Sequence, residues 1–327
     1  MPSPETPEAT QTPRTPVGVM LPRDLPVAEI LPFARRAEEL GFDELWVVED
    51  LGFRGGLAQA GVVLGATDRI TVGIGILPVG ARNVAFAATE LNTLAELFPG
   101  RVLAGIGHGL PLWMREVGAW PRSPLTLLEE YSQALRTLLR GERLTVEGRY
   151  VQVDGTRLKT PAPQAPPVLL GVRGPRSLAV AGRAADGVVL AEPAAPAYVR
   201  AAVGHVGADG PHALVAYNFA VVDDDAAVAR DAVRPLLEWV GDADCAPHVA
   251  PLPFADELAA LRASSATRAD FVAAMPDAWV DELALVGSPE RVRARLAEIA
   301  QAGATSTVLI PVGADRVAAL DALARAL

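Results

Sequence analysis

Residues 169–189 read LLGVRGPRSLAVAGRAADGVV. An apolar run enters a turn flanked by Gly171 and Gly174, passes through Pro175-Arg176-Ser177 into a helical pattern, and meets a second apolar run at Gly187. This is a β-α-β unit, and strands that are apolar on both faces belong to a parallel sheet covered by helices. A helix that only packed would need no arginines at its entrance. Arg173 and Arg176 beside newly opened backbone N–H groups predict an anion site, with Ser177 adding a hydroxyl and Pro175 suited to the first helical position. The competing reading is a tight connection with two solvated arginines.

The rhythm continues in both directions. Apolar runs at 17–21, 44–48, 70–77, 101–107, 167–172, 187–191, 214–222 and 305–312 alternate with helical patterns at 30–40, 58–66, 84–98, 125–139, 177–185, 225–240, 288–301 and 314–327. Eight such units predict an α/β fold, a closed (β/α)8 TIM barrel with insertions in its βα loops. A doubly wound open sheet is the rival. Against it, GVMLPRDLP (18–26) follows the first strand where a dinucleotide-binding sheet would carry G-x-G-x-x-G. The expected domains are a disordered tail over 1–16, MPSPETPEATQTPRTP, and one barrel over 17–327. Three stretches break the repeat: a Gly/Pro-rich loop at 107–124, a hairpin at 142–160 turning at Glu147-Gly148, and an insert at 241–282, partly helical near 256–275.

Half of the 327 residues are hydrophobic, enough for a large core, and the net charge is -10. That balance argues against a general nucleic-acid or membrane-surface binder, while leaving room for a local basic pocket. One cysteine, Cys245, excludes an intramolecular disulfide framework and fits a reducing cytoplasm. No run of transmembrane length and no secretory signal pattern is present in the sequence.

In a barrel, chemistry sits at the C-terminal ends of the strands. GIGHG (105–109) puts His108 there among glycines, with Gly107 before it. VVEDLGFRGG (47–56) puts Glu49 and Asp50 at the end of the second strand, as an acid–base pair or as a cap and an ion-pair partner of Arg54. TVGIGILP (71–78) carries Gly73 and Gly75 inside an otherwise buried strand, marking a bulge, a close ligand approach or a bulky neighbour. Trp113, Met114 and Trp120 form either an apolar lid or plain loop packing. The four histidines show no metal-ligand spacing, and neither a G-x-S-x-G elbow nor a P-loop occurs. A phosphate turn and glycines without a nucleophile imply a bound cofactor that carries the chemistry.

Six segments, in this order, resemble the bacterial luciferase-like family of flavin- and deazaflavin-dependent oxidoreductases. They are AEELGFDELWVVED, DRITVGIGILPVGARN, TLAELFPGRVLAGIGHG, SPLTLLEEYSQALRTLL, GPRSLAVAGRAADGVVL and VGSPERVRARLAEIAQAGATSTVLI. The closer likeness is to the coenzyme F420-dependent branch that includes methylenetetrahydromethanopterin reductase. It runs from about Val17 to Leu327 and is weakest over 241–280. The resemblance implies a barrel with the ring of the cofactor at its C-terminal mouth and the phosphate at Gly174-Pro175-Arg176. It implies a strand-three bulge at Gly75-Ile76, commonly with a non-prolyl cis peptide, behind the ring. F420 enzymes often place Asp-His where this chain has Glu49-Asp50, so that histidine's role does not transfer. His108 stands where several relatives have a carboxylate near the ring. The implied activity is F420-dependent hydride transfer to or from a small organic substrate. The alternative is an FMN-dependent two-component monooxygenase with a flavin reductase partner, and a non-catalytic luciferase-like barrel stands last. Arg54 and Arg82 are candidates for a polyglutamate tail. The family likeness also implies a homodimer packed through helices of the second and third units.

Overall fold

The computed structural model describes residues 14–327. Eleven strands run β1 Val17–Met20, β2 Glu44–Val47, β3 Thr71–Pro78, β4 Val102–Gly107, β5 Leu144–Glu147, β6 Gln152–Thr156, β7 Val168–Gly171, β8 Gly187–Leu190, β9 Ala213–Val222, β10 Leu285–Gly287 and β11 Ser306–Pro311. Eight of them pair in parallel as β9-β11-β1-β2-β3-β4-β7-β8, and β8 returns to β9, so the sheet closes. The (β/α)8 barrel expected from the apolar runs is the observed fold, and the open-sheet rival is excluded by the β8–β9 pairing. β10 adds a parallel edge to the upper part of β9.

Two layers of core follow from strands that are apolar on both faces. Outside the barrel, helices such as Val27–Glu39, Val84–Leu97 and Pro124–Leu139 cover the sheet with Phe33, Leu91, Leu128 and Leu135. Inside it, Trp46, Leu169, Val189, Val215, Tyr217, Val308 and Ile310 form a separate cluster. The Trp46 indole N–H donates to Glu44 Oε2 at 2.7 Å, and the Ser306 hydroxyl donates to the same oxygen at 2.7 Å. Burial pushes the Glu44 carboxyl above the usual carboxylate range, and these two donors pull it back.

The hairpin is β5 and β6, antiparallel, with residues 148–151 as its loop. The Glu130 carboxylate accepts from the N–H groups of Arg149, Tyr150 and Val151 and pins that loop to the helix Pro124–Leu139. The insert is helical through Ala246–Val249, Ala255–Ser264, Arg268–Ala273 and Asp277–Leu283. It builds its own core from Leu237, Val249, Leu258, Phe271, Met275 and Leu283. Arg230 ties it to the helix Ala226–Val233 through Asp281 at 2.8 Å. Outside the insert, two helices escaped the sequence reading: Pro196–Val206, between β8 and β9, and the short Pro111–Glu116 inside the loop after β4; within it, Ala246–Val249 and Asp277–Leu283 lie beyond the expected 256–275.

Of the expected tail, residues 1–13 lie outside the described residues. Arg14 bonds Asp43 at 2.7 Å, and the Pro16 carbonyl accepts from Thr307 N–H at 3.1 Å. No helix among the described residues is long and apolar enough to cross a membrane.

Candidate active site

The site is built on β3. Gly73 lies against Trp46, whose ring would be 2.3 Å from any Cβ added there. Of the readings open for Gly73, the bulky neighbour is the one observed. Beyond Ile74 the register with β4 shifts until Leu77, and the Gly75–Ile76 peptide is cis. The bulge expected at this position is present. It turns the Ile76 side chain across Gly107 and Gly171, where added Cβ atoms would come within 3.0 and 2.6 Å of it. Gly105 and Gly107 of GIGHG therefore make room for the bulge, while Gly109 makes room for Met114. Gly107, expected among the cofactor residues, is buried behind Ile76 and does not line the cavity.

The cavity itself opens at the C-terminal mouth of the barrel and holds about 770 Å³, within the range of small-molecule sites. Gly75, Ile76, His108, Glu49, Asp50, Arg173, Gly174 and Ser177 all line it, so most of the expected site residues converge. Pro175 and Arg176 do not: both are exposed and face away from it. The helix Pro175–Ala184 starts at Gly174, which offers no side-chain cap, so the N–H groups of its first turn stay free at the cavity edge. The Arg173 carbonyl accepts from the Tyr198 hydroxyl at 3.0 Å, which fixes the backbone of the turn.

Electrostatics separate the charged residues by what already holds them. Glu49 accepts from Arg82 at 2.7 Å and from Gly56 N–H at 2.7 Å. Its carboxylate caps the helix Gly56–Ala66 and is fully engaged; its partner is Arg82, not Arg54. Asp50 pairs with Arg23 at 2.6 Å, and Arg316 pairs with Asp24 at 3.3 Å. Arg54 donates to the Arg23 and Leu25 carbonyls and shapes the loop after β1. Among the described residues, Arg173 is the one cavity arginine without a carboxylate partner.

Two uncharged polar groups are left unpartnered. His108 sits with Nε2 3.5 Å from the Ser177 hydroxyl, and its buried Nδ1 has no partner. Burial lowers its pKa, so the imidazole is neutral at neutral pH. The Tyr217 hydroxyl, on a side chain only 4% exposed, is also buried without a partner. It would lie 2.6 Å from a Cβ on Gly75, and its ring meets Trp46 edge-on at 5.7 Å. These orphaned atoms, the uncapped helix entrance and Arg173, whose guanidinium donates to the Asp244 carbonyl at 3.3 Å but meets no carboxylate, fit a ligand that is part ring and part anion.

Sequence reasoning missed Arg23, Glu192, Tyr217, Trp239 and Asp244, all of which line the cavity. The Tyr-Asn pair inside the apolar run 214–222 was a readable signal for Tyr217, and Glu192 follows a strand's C-terminal end. Trp239 ends the expected helical stretch 225–240 and Asp244 opens the insert, and neither position signals its direction in sequence. Trp113 and Trp120 line the cavity, while Met114 is 4% exposed and packs beneath Gly109. The lid-or-packing question thus resolves with the tryptophans on one side and the methionine on the other.

The pattern of the family described as luciferase-like monooxygenase matches residues 7–306. The chain is 27% identical over 318 residues to the 5,10-methylenetetrahydromethanopterin reductase of Methanolobus tindarius, covering 92% of this chain and 95% of that protein. It is 32% identical over 181 residues to the F420-dependent glucose-6-phosphate dehydrogenase of Nakamurella multipartita, covering 52% of this chain and 53% of that one. In fold it is similar to the coenzyme F420-dependent tetrahydromethanopterin reductase of Methanopyrus kandleri, with a TM-score of 0.80 at 20% identity over 96% of this chain and 99% of that one.

Proposed function

The chain belongs to the luciferase-like monooxygenase family, and from that premise we propose that it is an F420-dependent oxidoreductase that moves a hydride between the deazaflavin and a small organic substrate. The observation that carries this is the joint fit of the cavity: the Gly75–Ile76 bulge as one wall, neutral His108 beside it, and Arg173 unpaired at the uncapped helix entrance. The F420-dependent glucose-6-phosphate dehydrogenase that it resembles, and the likeness to the methylenetetrahydromethanopterin reductase over 92% of the chain, support the deazaflavin over FMN.

In this reading Arg173, the Ser177 hydroxyl and the first N–H groups of the helix Pro175–Ala184 hold the cofactor phosphate. The Gly75–Ile76 bulge backs the ring, and His108 Nδ1 offers a neutral hydrogen-bonding atom toward it. Trp113, Trp120 and Trp239 exclude water from the reacting face. When bound, the deazaflavin supplies the hydride chemistry, and the protein supplies orientation and a dry site. The FMN-dependent monooxygenase with a reductase partner is the second reading, favoured by the family's description. The reading extends to a cytoplasmic homodimer: Val62 and Phe86, on the helices after β2 and β3, are 53% and 71% exposed and offer an apolar face. Titrating the protein with F420 and with FMN, followed by fluorescence, tests the proposal, and tighter binding of FMN would transfer it to the second reading.

A further inference from the structure

Among the described residues, Glu192 is the one cavity carboxyl that no arginine holds in an ion pair and that the barrel itself positions. It follows β8, and the register of Leu190 with Ala216, carried forward, places Ala191 beside Tyr217 of the neighbouring β9 and Glu192 one residue beyond. The backbone beyond it is clamped from both sides. Pro193 O accepts from His248 Nδ1 at 3.1 Å, and the Asn218 side chain accepts from Ala194 N–H at 3.0 Å and donates to Ala194 O at 3.3 Å. His248 is itself held by the Tyr198 ring, 4.3 Å away, and Tyr198 is the residue that fixes Arg173. The insert thus reaches the cavity wall through His248 and sets Glu192 and Arg173 together. The Tyr217 hydroxyl, nine-tenths buried and unpartnered, faces the same space.

We propose that the Glu192 carboxyl, backed by the Tyr217 hydroxyl, anchors the reacting oxygen or nitrogen of an uncharged substrate and supplies its proton. This rests on the deazaflavin reading above. In the reducing direction, the hydride pair from reduced F420 forms the new C–H bond at a carbonyl or imine carbon. The π pair moves onto the oxygen or nitrogen, which takes the proton from Glu192. The substrate is reduced, the cofactor oxidised, and the carboxylate left behind regains a proton from water at the open mouth. The alcohol or amine oxidation runs the same steps in reverse.

The other charged groups of the cavity narrow the choice of acid and set the substrate class. Glu49 and Asp50 are held by Arg82 and Arg23. His108 is assigned to the cofactor, between the ring and Ser177, whose hydroxyl lies 3.5 Å from its Nε2. Burial raises the Glu192 pKa, with its own backbone N–H, Arg173 and Arg23 lowering it and Asp50 raising it, and the upward direction favours the proton-bearing form. With Arg23 and Arg316 paired and Arg173 assigned to the cofactor phosphate, no cavity arginine remains for an anionic substrate. Glu238 and Asp244 add negative charge to the same walls. A sugar phosphate is therefore a poor match, and a ketone, imine, alcohol or amine a good one.

The test loads wild type, Glu192→Gln and Tyr217→Phe with F420 and titrates each with cyclohexanone and with glucose 6-phosphate across pH, reading cofactor fluorescence. Wild type should bind cyclohexanone saturably and more tightly than glucose 6-phosphate, and Tyr217→Phe should bind the ketone about tenfold more weakly. Ketone affinity in wild type should fall as rising pH deprotonates Glu192. Arg173, Arg23, Asp50, Tyr217, His108, Glu238 and Asp244 remain in Glu192→Gln, so flat affinity there assigns the titration to Glu192. Reduction of cyclohexanone by reduced F420 should drop about a hundredfold in Glu192→Gln. F420-loaded wild type that binds no cyclohexanone, tighter binding of glucose 6-phosphate, or a pH dependence that persists in Glu192→Gln overturns the proposal and leaves the cofactor reading standing. Wild type that takes up no F420 overturns both.

Discussion

Arg173 and Arg176 are three residues apart and face different surroundings. Arg173 ends the turn with its carbonyl fixed by Tyr198 and its side chain in the cavity, whereas Arg176 is already helical and points to solvent. The sequence offers both arginines to an anion and leaves two solvated arginines as the rival; which side chain enters the cavity depends on the helix's rotation, set by packing that no local pattern records. Arg173→Ala should weaken F420 binding about ten- to a hundredfold, the worth of a charge-assisted contact, while Arg176→Ala should stay within about twofold. Fluorescence titration of both variants checks this, and equal losses would contradict the placement. His248 carries a different expectation. Burial lowers its pKa from 6.5 to about 4, so the unfolded chain binds its proton first as pH falls. The associated stability is complete above pH 6.5 and lost as pH falls toward about 4, up to about 3 kcal/mol. His248→Asn, which keeps a donor for Pro193 O, should lose that much less between pH 7 and 4 in urea denaturation.

Among the elements, β3 shows most clearly what a sequence carries and what it omits. Its glycines are plain in TVGIGILP, but their reasons lie on other strands: Trp46 on β2 for Gly73, and Tyr217 on β9 for Gly75. Gly73→Ala would press a methyl onto the Trp46 ring, and overpacking of this kind should cost about 1–3 kcal/mol in urea denaturation. Gly75→Ala would meet the Tyr217 hydroxyl and should reduce F420 affinity beyond what its stability loss explains. Unchanged stability in the first, or unchanged affinity in the second, would contradict this account of the strand. The strands themselves were legible because burial on both faces leaves long apolar runs. The helix Pro196–Val206 was not, because it begins in Pro-Ala-Ala-Pro and its alanines and glycine give little periodic contrast.

At the scale of the whole molecule, closure of the barrel was legible from the count of β-α units, since eight parallel strands have one common closed form. The insert was not, because its helices pack on one another and on Ala229 and Val233, and nothing local says that Trp239 and Asp244 turn toward the mouth. Assembly belongs to this scale too. If the apolar face around Val62 and Phe86 joins two copies, Phe86→Glu should shift the protein from dimer to monomer by light scattering. A wild-type monomer would remove that part of the reading. The central claim is that the mouth of this barrel is shaped for a deazaflavin, and the most direct measurement is parallel titration of the purified protein with F420 and FMN. F420 should bind saturably, clearly more tightly than FMN and about ten- to a hundredfold more weakly in Arg173→Ala; FMN binding as tightly or more tightly, or no binding of F420 at all, would contradict it.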